Sequence, residues 1–183
     1  MNAVASISAS LRVTQADDAR ALITRHRAAI YRVALRMLGD RHEAEDVAQD
    51  VLLQLVRTRA SLAPGSDEGA WAYAIAINRC RDILRSHRHQ HRAEAPVEDV
   101  EQQDLRPGPD VALDLARRER QVQHALQQLP ASYREVLVLR DLEGQPYRVM
   151  CQVLGLSETN LKARVIRARR ALARALQSLQ ESP

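Results

Sequence analysis

The chain has 183 residues, 45% of them apolar but only 3% aromatic, with no Phe, which argues against a β-sandwich or barrel. Its 27 Lys and Arg against 23 Asp and Glu leave a formal charge of +4. Its 2 cysteines, Cys80 and Cys151, give neither a disulfide framework nor a zinc spacing, and a reducing cytosol is the simple reading. The remainder is rich in Ala, Leu, Arg, Gln and Glu, a helix-forming composition. The expected fold class is therefore all-α: two small helical domains joined by an acidic, flexible linker. The longest apolar run, Ala70 to Ile77, falls well short of the roughly 20 residues that span a bilayer. No membrane insertion is expected, and the protein reads as cytoplasmic.

In chain order, residues 1–16 are Ala- and Ser-rich, without a basic start or an apolar stretch, and read as a flexible arm. The domain expected over 17–92 opens with a helix from about Asp17 to Leu38, stopped by Gly39-Asp40. A second helix runs from about His42 to Thr58. Ser61 to Gly69 is a loop by its Pro, Gly and Ser. A third helix begins near Asp67 to Ala70 and continues into a basic block, Arg79 to Arg92. The segment 93–114 carries seven acids against the single base Arg106, together with Pro96, Pro107, Gly108 and Pro109. It has no apolar period and reads as the linker. The domain expected over 115–183 contains a helix from near Val111 to Gln128, a break at Pro130 and a helix from about Ser132 to Leu142. A turn at Glu143-Gly144, a helix from Pro146 to Leu154 and a last helix from Glu158 to about Leu179 complete it. The last helix carries a second basic block, Lys162 to Arg174, with no acid. Two blocks of one sign in a nearly neutral chain suggest two contacts with a polyanion.

Tyr147 to Arg170 has the pattern of a helix-turn-helix. Cys151 is small where two helices must approach, Gly155 sits where the turn needs positive φ, and Ser157 suits an N-cap. At 100° per residue, Leu161, Val165, Ala168 and Leu172 form one apolar stripe. Asn160, Ala163, Arg164, Arg167 and Arg170 lie opposite. Ile166 stands outside the stripe, where an exposed apolar side chain suits the thymine methyl in a major groove. A plain helical hairpin with a solvated basic face is the competing reading, and the one-signed second helix favours DNA.

On the second helix Ala44, Val47, Ala48, Val51 and Leu55 face a core, while Asp46, Gln49, Asp50 and Leu53 share the other face. An acidic stripe around an exposed Leu is a candidate docking surface, although the residues alone favour an ordinary solvated face. On the third helix Asn78 and the arginines suit unstacked bases and phosphates, with Trp71 at least partly core. His87, His89 and His91 alternate, so they share no helix face, and nucleic-acid contact is favoured over metal. No catalytic grouping, phosphate-binding Gly-rich loop or carboxylate metal set is recognisable. No catalytic role, metal or cofactor is therefore expected.

The order of parts resembles a small bacterial sigma factor of the sigma-70 family, in its extracytoplasmic-function (ECF) group. The resemblance rests on Tyr31 to Leu55, Gly69 to His89 and Ala125 to Leu172. It implies a first domain that docks on the clamp coiled coil of core RNA polymerase through Asp46, Gln49, Asp50 and Leu53, overturning the solvated-face reading. It implies that Asn78, Arg79, Arg85 and Arg88 melt and read the minus-ten element of promoter DNA, with Ser61 to Gly69 capturing a flipped base. The second domain would read the minus-thirty-five element with Lys162, Ala163, Ile166 and Arg167, beside Asn160, while Arg164 and Arg170 clamp phosphates. The linker would thread toward the basic cleft and RNA exit path, and an anti-sigma factor would hold the protein inactive. Three features depart from the family pattern: Arg148-Val149 after Tyr147, Cys151 in place of Ala, and the absence of Phe. They bear on promoter sequence rather than fold. The alternative function is a one-component helix-turn-helix regulator, which requires an N-terminal sensing pocket that no residue set suggests.

Overall fold

The computed structural model describes residues 2–61, 65–93 and 110–181. Seven helices are present among them: α1 (Asn2–Leu38), α2 (Arg41–Thr58), α3 (Glu68–Ala93), α4 (Asp110–Gln128), α5 (Ala131–Leu137), α6 (Tyr147–Leu154) and α7 (Glu158–Glu181). A 3₁₀ turn, Arg59–Ser61, follows α2, and a π-helical turn, Val138–Leu142, continues α5. The described residues contain no strand, and no helix of theirs is long and apolar enough to cross a membrane. Residues 94–109, most of the expected acidic linker, lie outside the described residues.

Local chemistry explains the boundaries. α1 ends because Gly39, at φ +85°, turns left-handed while its N–H still bonds Leu35 O at 2.9 Å. Asp40 then caps α2, its carboxylate accepting from Glu43 N at 2.8 Å, and Asp67 does the same for α3 through Ala70 N at 2.9 Å. α1 itself departs from expectation. It starts at Asn2 and runs through the residues read as a flexible arm. Nothing between Asn2 and Asp17 is a Gly or Pro, so no residue there stops the helix.

α1, α2 and α3 form one bundle and α4 to α7 another. Leu22, Ile30, Val33 and Met37 of α1 meet Val47, Val51 and Leu55 of α2 and Ile77 and Cys80 of α3. Leu126, Leu137, Met150, Leu161 and Val165 fill the second bundle, and the two cores are continuous. The bundles dock, α3 lying against α5 and α6, and α1 against α4 and α5. Polar ties line the seam. Arg32 donates to both oxygens of Glu143 at 2.9 and 2.8 Å. Gln123 donates to Leu35 O at 3.1 Å, and Gln127 to Arg36 O at 3.2 Å. Buried Arg134 reaches Met37 O across the seam and Leu126 O at 2.9 Å within its own bundle. Its acceptors are last-turn carbonyls of α1 and α4, where the helix dipole favours a cation. Burial pushes its pKa down to about 10, which still leaves it charged at neutral pH.

Candidate nucleic-acid interface

The acidic stripe on α2 points outward. Ala44, Val47, Ala48, Val51, Leu52 and Leu55 are buried, whereas Asp46, Gln49 and Asp50 are exposed and Leu53 is 45% exposed. Gln49 and Leu53 form one wall of an open groove of about 920 Å³ between α1 and α2, whose other wall includes Ile23 and Tyr31. An apolar side chain this exposed beside a partly apolar groove is a surface suited to a partner's helix.

α3 carries the first basic face. Asn78, Arg79, Arg85 and Arg88 are exposed. Arg79 donates to Asp50 at 3.3 Å, which joins the basic face to the acidic stripe. Arg85 pairs with Asp82 at 3.4 Å, and Arg88 bonds Leu84 O at 3.2 Å. These are weak, solvent-screened ties that a phosphate can replace. Trp71 is half-buried against the core, as expected. Of the loop expected to capture a base, residues 62–64 lie outside the described residues. Ser61 donates to Thr58 O at 2.7 Å, and Asp67 is spent on the cap of α3. His87 pairs with Glu43 at 2.9 Å. Among the described residues no group of three or more His, Cys, Asp or Glu could hold a metal. Burial pushes the Cys80 thiol up to about 12, so it is an inert core group.

α6 and α7 form the helix-turn-helix. Gly155 takes φ +65° and its N–H closes on Cys151 O at 2.9 Å. Asn160 N donates to the Ser157 hydroxyl at 3.4 Å, the expected cap. Leu161, Val165 and Ala168 are fully buried, while Asn160, Lys162, Ala163, Arg167 and Arg170 are exposed and Ile166 is 52% exposed. The face left to solvent is therefore basic with one large apolar side chain, Ile166, a composition that can meet phosphates and a thymine methyl together. Lys162 pairs with Glu158 at 2.6 Å, a bond that raises its pKa, and it sits 5.6 Å from the Tyr147 ring. Arg164 departs from the set: it is half-buried and turned to Glu135 at 3.4 Å.

Two residues of this site were not singled out from sequence. Arg81 belongs to the basic block but is half-buried and bound to Glu135 at 2.8 Å, and Glu135 is only 1% exposed. The signal available was the adjacent pair Arg134-Glu135 entering the apolar run Val136 to Leu139, since charges set in a core segment need partners.

The chain matches the family model of sigma-70 region 2 over residues 22–90 and that of sigma-70 region 4 over residues 119–172. It belongs to the sigma-70 family. Within it the similarity is to the ECF group. The chain is 32% identical to the ECF RNA polymerase sigma factor SigE of Mycolicibacterium smegmatis over 152 residues, covering 82% of this chain but only 58% of that one. It is 30% identical to the RNA polymerase sigma-H factor of Pseudomonas aeruginosa, covering 90% of this chain and 91% of the relative. In structure it is similar to the sigma factor RpoE of Bartonella quintana, solved in complex with the anti-sigma factor NepR. There the TM-score is 0.67 at 26% identity, over 82% of this chain and 91% of that one. The α2 stripe, the exposed basic face of α3 and residues 160–170 of α7 fall inside the two matched regions.

Proposed function

We propose that this ECF sigma factor is a non-enzymatic initiation subunit. It binds core RNA polymerase, recognises the minus-ten and minus-thirty-five elements of its promoters, directs transcription initiation in the cytoplasm and is held in check by an anti-sigma factor. The observation that carries this reading is the outward presentation, on one chain with regions 2 and 4, of an acidic Leu-centred stripe and two separate basic helix faces. Residues 17–92 supply polymerase docking through Asp46, Gln49, Asp50 and Leu53, and minus-ten contact through Asn78, Arg79, Arg85 and Arg88. Residues 115–183 supply minus-thirty-five contact through Asn160, Lys162, Ala163, Arg164, Ile166, Arg167 and Arg170. Residues 93–114 link them. Anti-sigma control is supported by the likeness to RpoE, a sigma factor solved with its inhibitor bound.

The test is run-off transcription with purified protein, bacterial core polymerase and pooled genomic promoter fragments. Discrete new starts that depend on the protein are expected. Asp50→Arg combined with Leu53→Ala is expected to lower core binding at least about tenfold, the loss of two interface anchors, with helical content unchanged. Wild-type core affinity in that variant removes the stripe from the interface.

A further inference from the structure

The central line of the outward face of α7 is uncharged over its first two turns. At 100° per residue Thr159, Ala163 and Ile166, spaced i, i+4 and i+7, fall within an arc of about 60° opposite the buried stripe of Leu161, Val165 and Ala168. All three are exposed, Ile166 to 52%. The neighbouring cations are drawn to the sides. Lys162 is held by Glu158 at 2.6 Å, Arg164 turns to Glu135 at 3.4 Å, and Arg169 donates to Asp141 of the π-helical turn at 3.0 Å. The first cation on the central line is Arg170, a turn beyond Ile166. What faces outward before it is a row of methyl groups, one on Thr159, one on Ala163 and those of Ile166. In the major groove the match for such a row is the 5-methyl of thymine, an apolar group that Ala and Thr methyls ordinarily contact. From Thr159 to Ile166 the helix rises about 10 Å, the length of about three base-pair steps.

We propose that α7 reads a run of about three thymine methyls in the upstream promoter element, with Thr159 as a specificity-determining residue beside Ala163 and Ile166. Lys162 and Arg167 border the strip, and Arg170 closes it on a phosphate. The proposal rests on the reading of α7 as the minus-thirty-five helix and names the chemical group that the centre of that helix recognises. Because the contact is to methyls and not to hydrogen-bonding groups, the strip rejects a base that has the hydrogen-bonding edge of thymine without its methyl.

The experiment uses the full chain assembled with bacterial core polymerase and a labelled promoter fragment taken from the run-off starts. Upstream thymines, on either strand, are replaced one at a time by uracil, which lacks only the 5-methyl. Each of about three adjacent replacements is expected to weaken binding about fourfold, the loss of one buried methyl. Protein variants then assign the contacts. Thr159→Ser keeps the hydroxyl and removes the methyl, so it is expected to bind the thymine and uracil forms of one position equally. Thr159→Val keeps a methyl there and is expected to restore the preference. Ile166→Ala is expected to erase the preference at a different position. Both residues are exposed, so neither substitution opens the core. A change of duplex shape on losing the methyl would persist in every variant, whereas a lost contact cannot be lost twice. The strip is overturned if uracil throughout the upstream element changes affinity by less than about twofold, or if either Thr159→Ser or Ile166→Ala keeps the wild-type preference at every position. An upstream element without adjacent thymines overturns it as well. With wild-type run-off starts intact, each of these results leaves the sigma reading standing. No starts and no core binding by wild type would remove that reading and the strip together.

Discussion

His26 has a largely covered side chain whose Nε2 lacks a hydrogen-bond partner among the described residues, the nearest carboxylate being Glu68 at 4.0 Å. Burial is the largest influence on it and lowers its pKa from 6.5, opposed by Glu68 and Asp67 and assisted by Arg25. Below pH 6.5 the unfolded chain takes up a proton that the folded chain resists, so the stability present above 6.5 is lost as the pH falls. His26→Leu removes both the titration and the unsatisfied nitrogen. The urea midpoint of this variant is expected to drop less between pH 7.5 and 5.5 than that of wild type, and an equal drop in both would place the acid sensitivity elsewhere. The burial of His26 was not legible in sequence, because it depends on which distant helix covers it, whereas that of Glu135 was signalled by its place at the start of the apolar run Val136 to Leu139. The outward positions Leu53 and Ile166 were legible, since a helix with one filled apolar face leaves a misplaced apolar residue in water.

At the level of elements, the helix ends that carry a chemical stop were readable and the others were not. Gly39, Asp40, Asp67, Gly155 and Ser157 each mark an end that the structure keeps. The start of α1 has no such mark, and the π-helical turn after α5 sits in the run Val138 to Leu142, where nothing in the apolar pattern specifies the wider winding. That turn exposes Asp141 to Arg169 of α7 at 3.0 Å and lets Arg140 sit 4.7 Å from the Tyr147 ring. A pair of glycines separates backbone strain from packing. Gly39 and Gly155 both have positive φ, but a Cβ at Gly39 would meet the Gln127 side chain of α4 at 3.0 Å, while at Gly155 it would meet open space. Gly155→Ala is expected to cost about 1 kcal/mol, the left-handed strain alone. Gly39→Ala is expected to cost about 2 kcal/mol, because displacing Gln127 also disturbs its bond to Arg36 O at 3.2 Å. Chemical denaturation of the two variants decides, and equal losses would mean that Gln127 yields freely.

For the whole molecule, the charge map foretold two basic faces but not the docking of one bundle on the other. Arg32, Arg81, Gln123 and Glu143, which help to make the seam, are of the types that ordinarily meet water, and in sequence they are indistinguishable from a solvated surface. Their expected effect is to make two units melt as one. Glu143 is the clearest case: its side chain is 5% exposed, receives both bonds of Arg32 and lies 3.4 Å from the Tyr73 hydroxyl, which donates to it. The chain's single Trp, Trp71, reports on the first bundle alone, whereas far-ultraviolet circular dichroism reports on every helix. If the seam couples the bundles, the two signals lose their structure at the same temperature in wild type. Glu143→Ala removes a bidentate charged pair, about 2 kcal/mol, and leaves Arg32 free to turn to solvent. The midpoint is then expected to fall by about 5 °C, with the two signals parting as the weaker bundle melts ahead of its neighbour. An unmoved midpoint with coincident signals would show instead that the apolar contacts of α3 with α6 hold the bundles together, with the polar ties setting only their register.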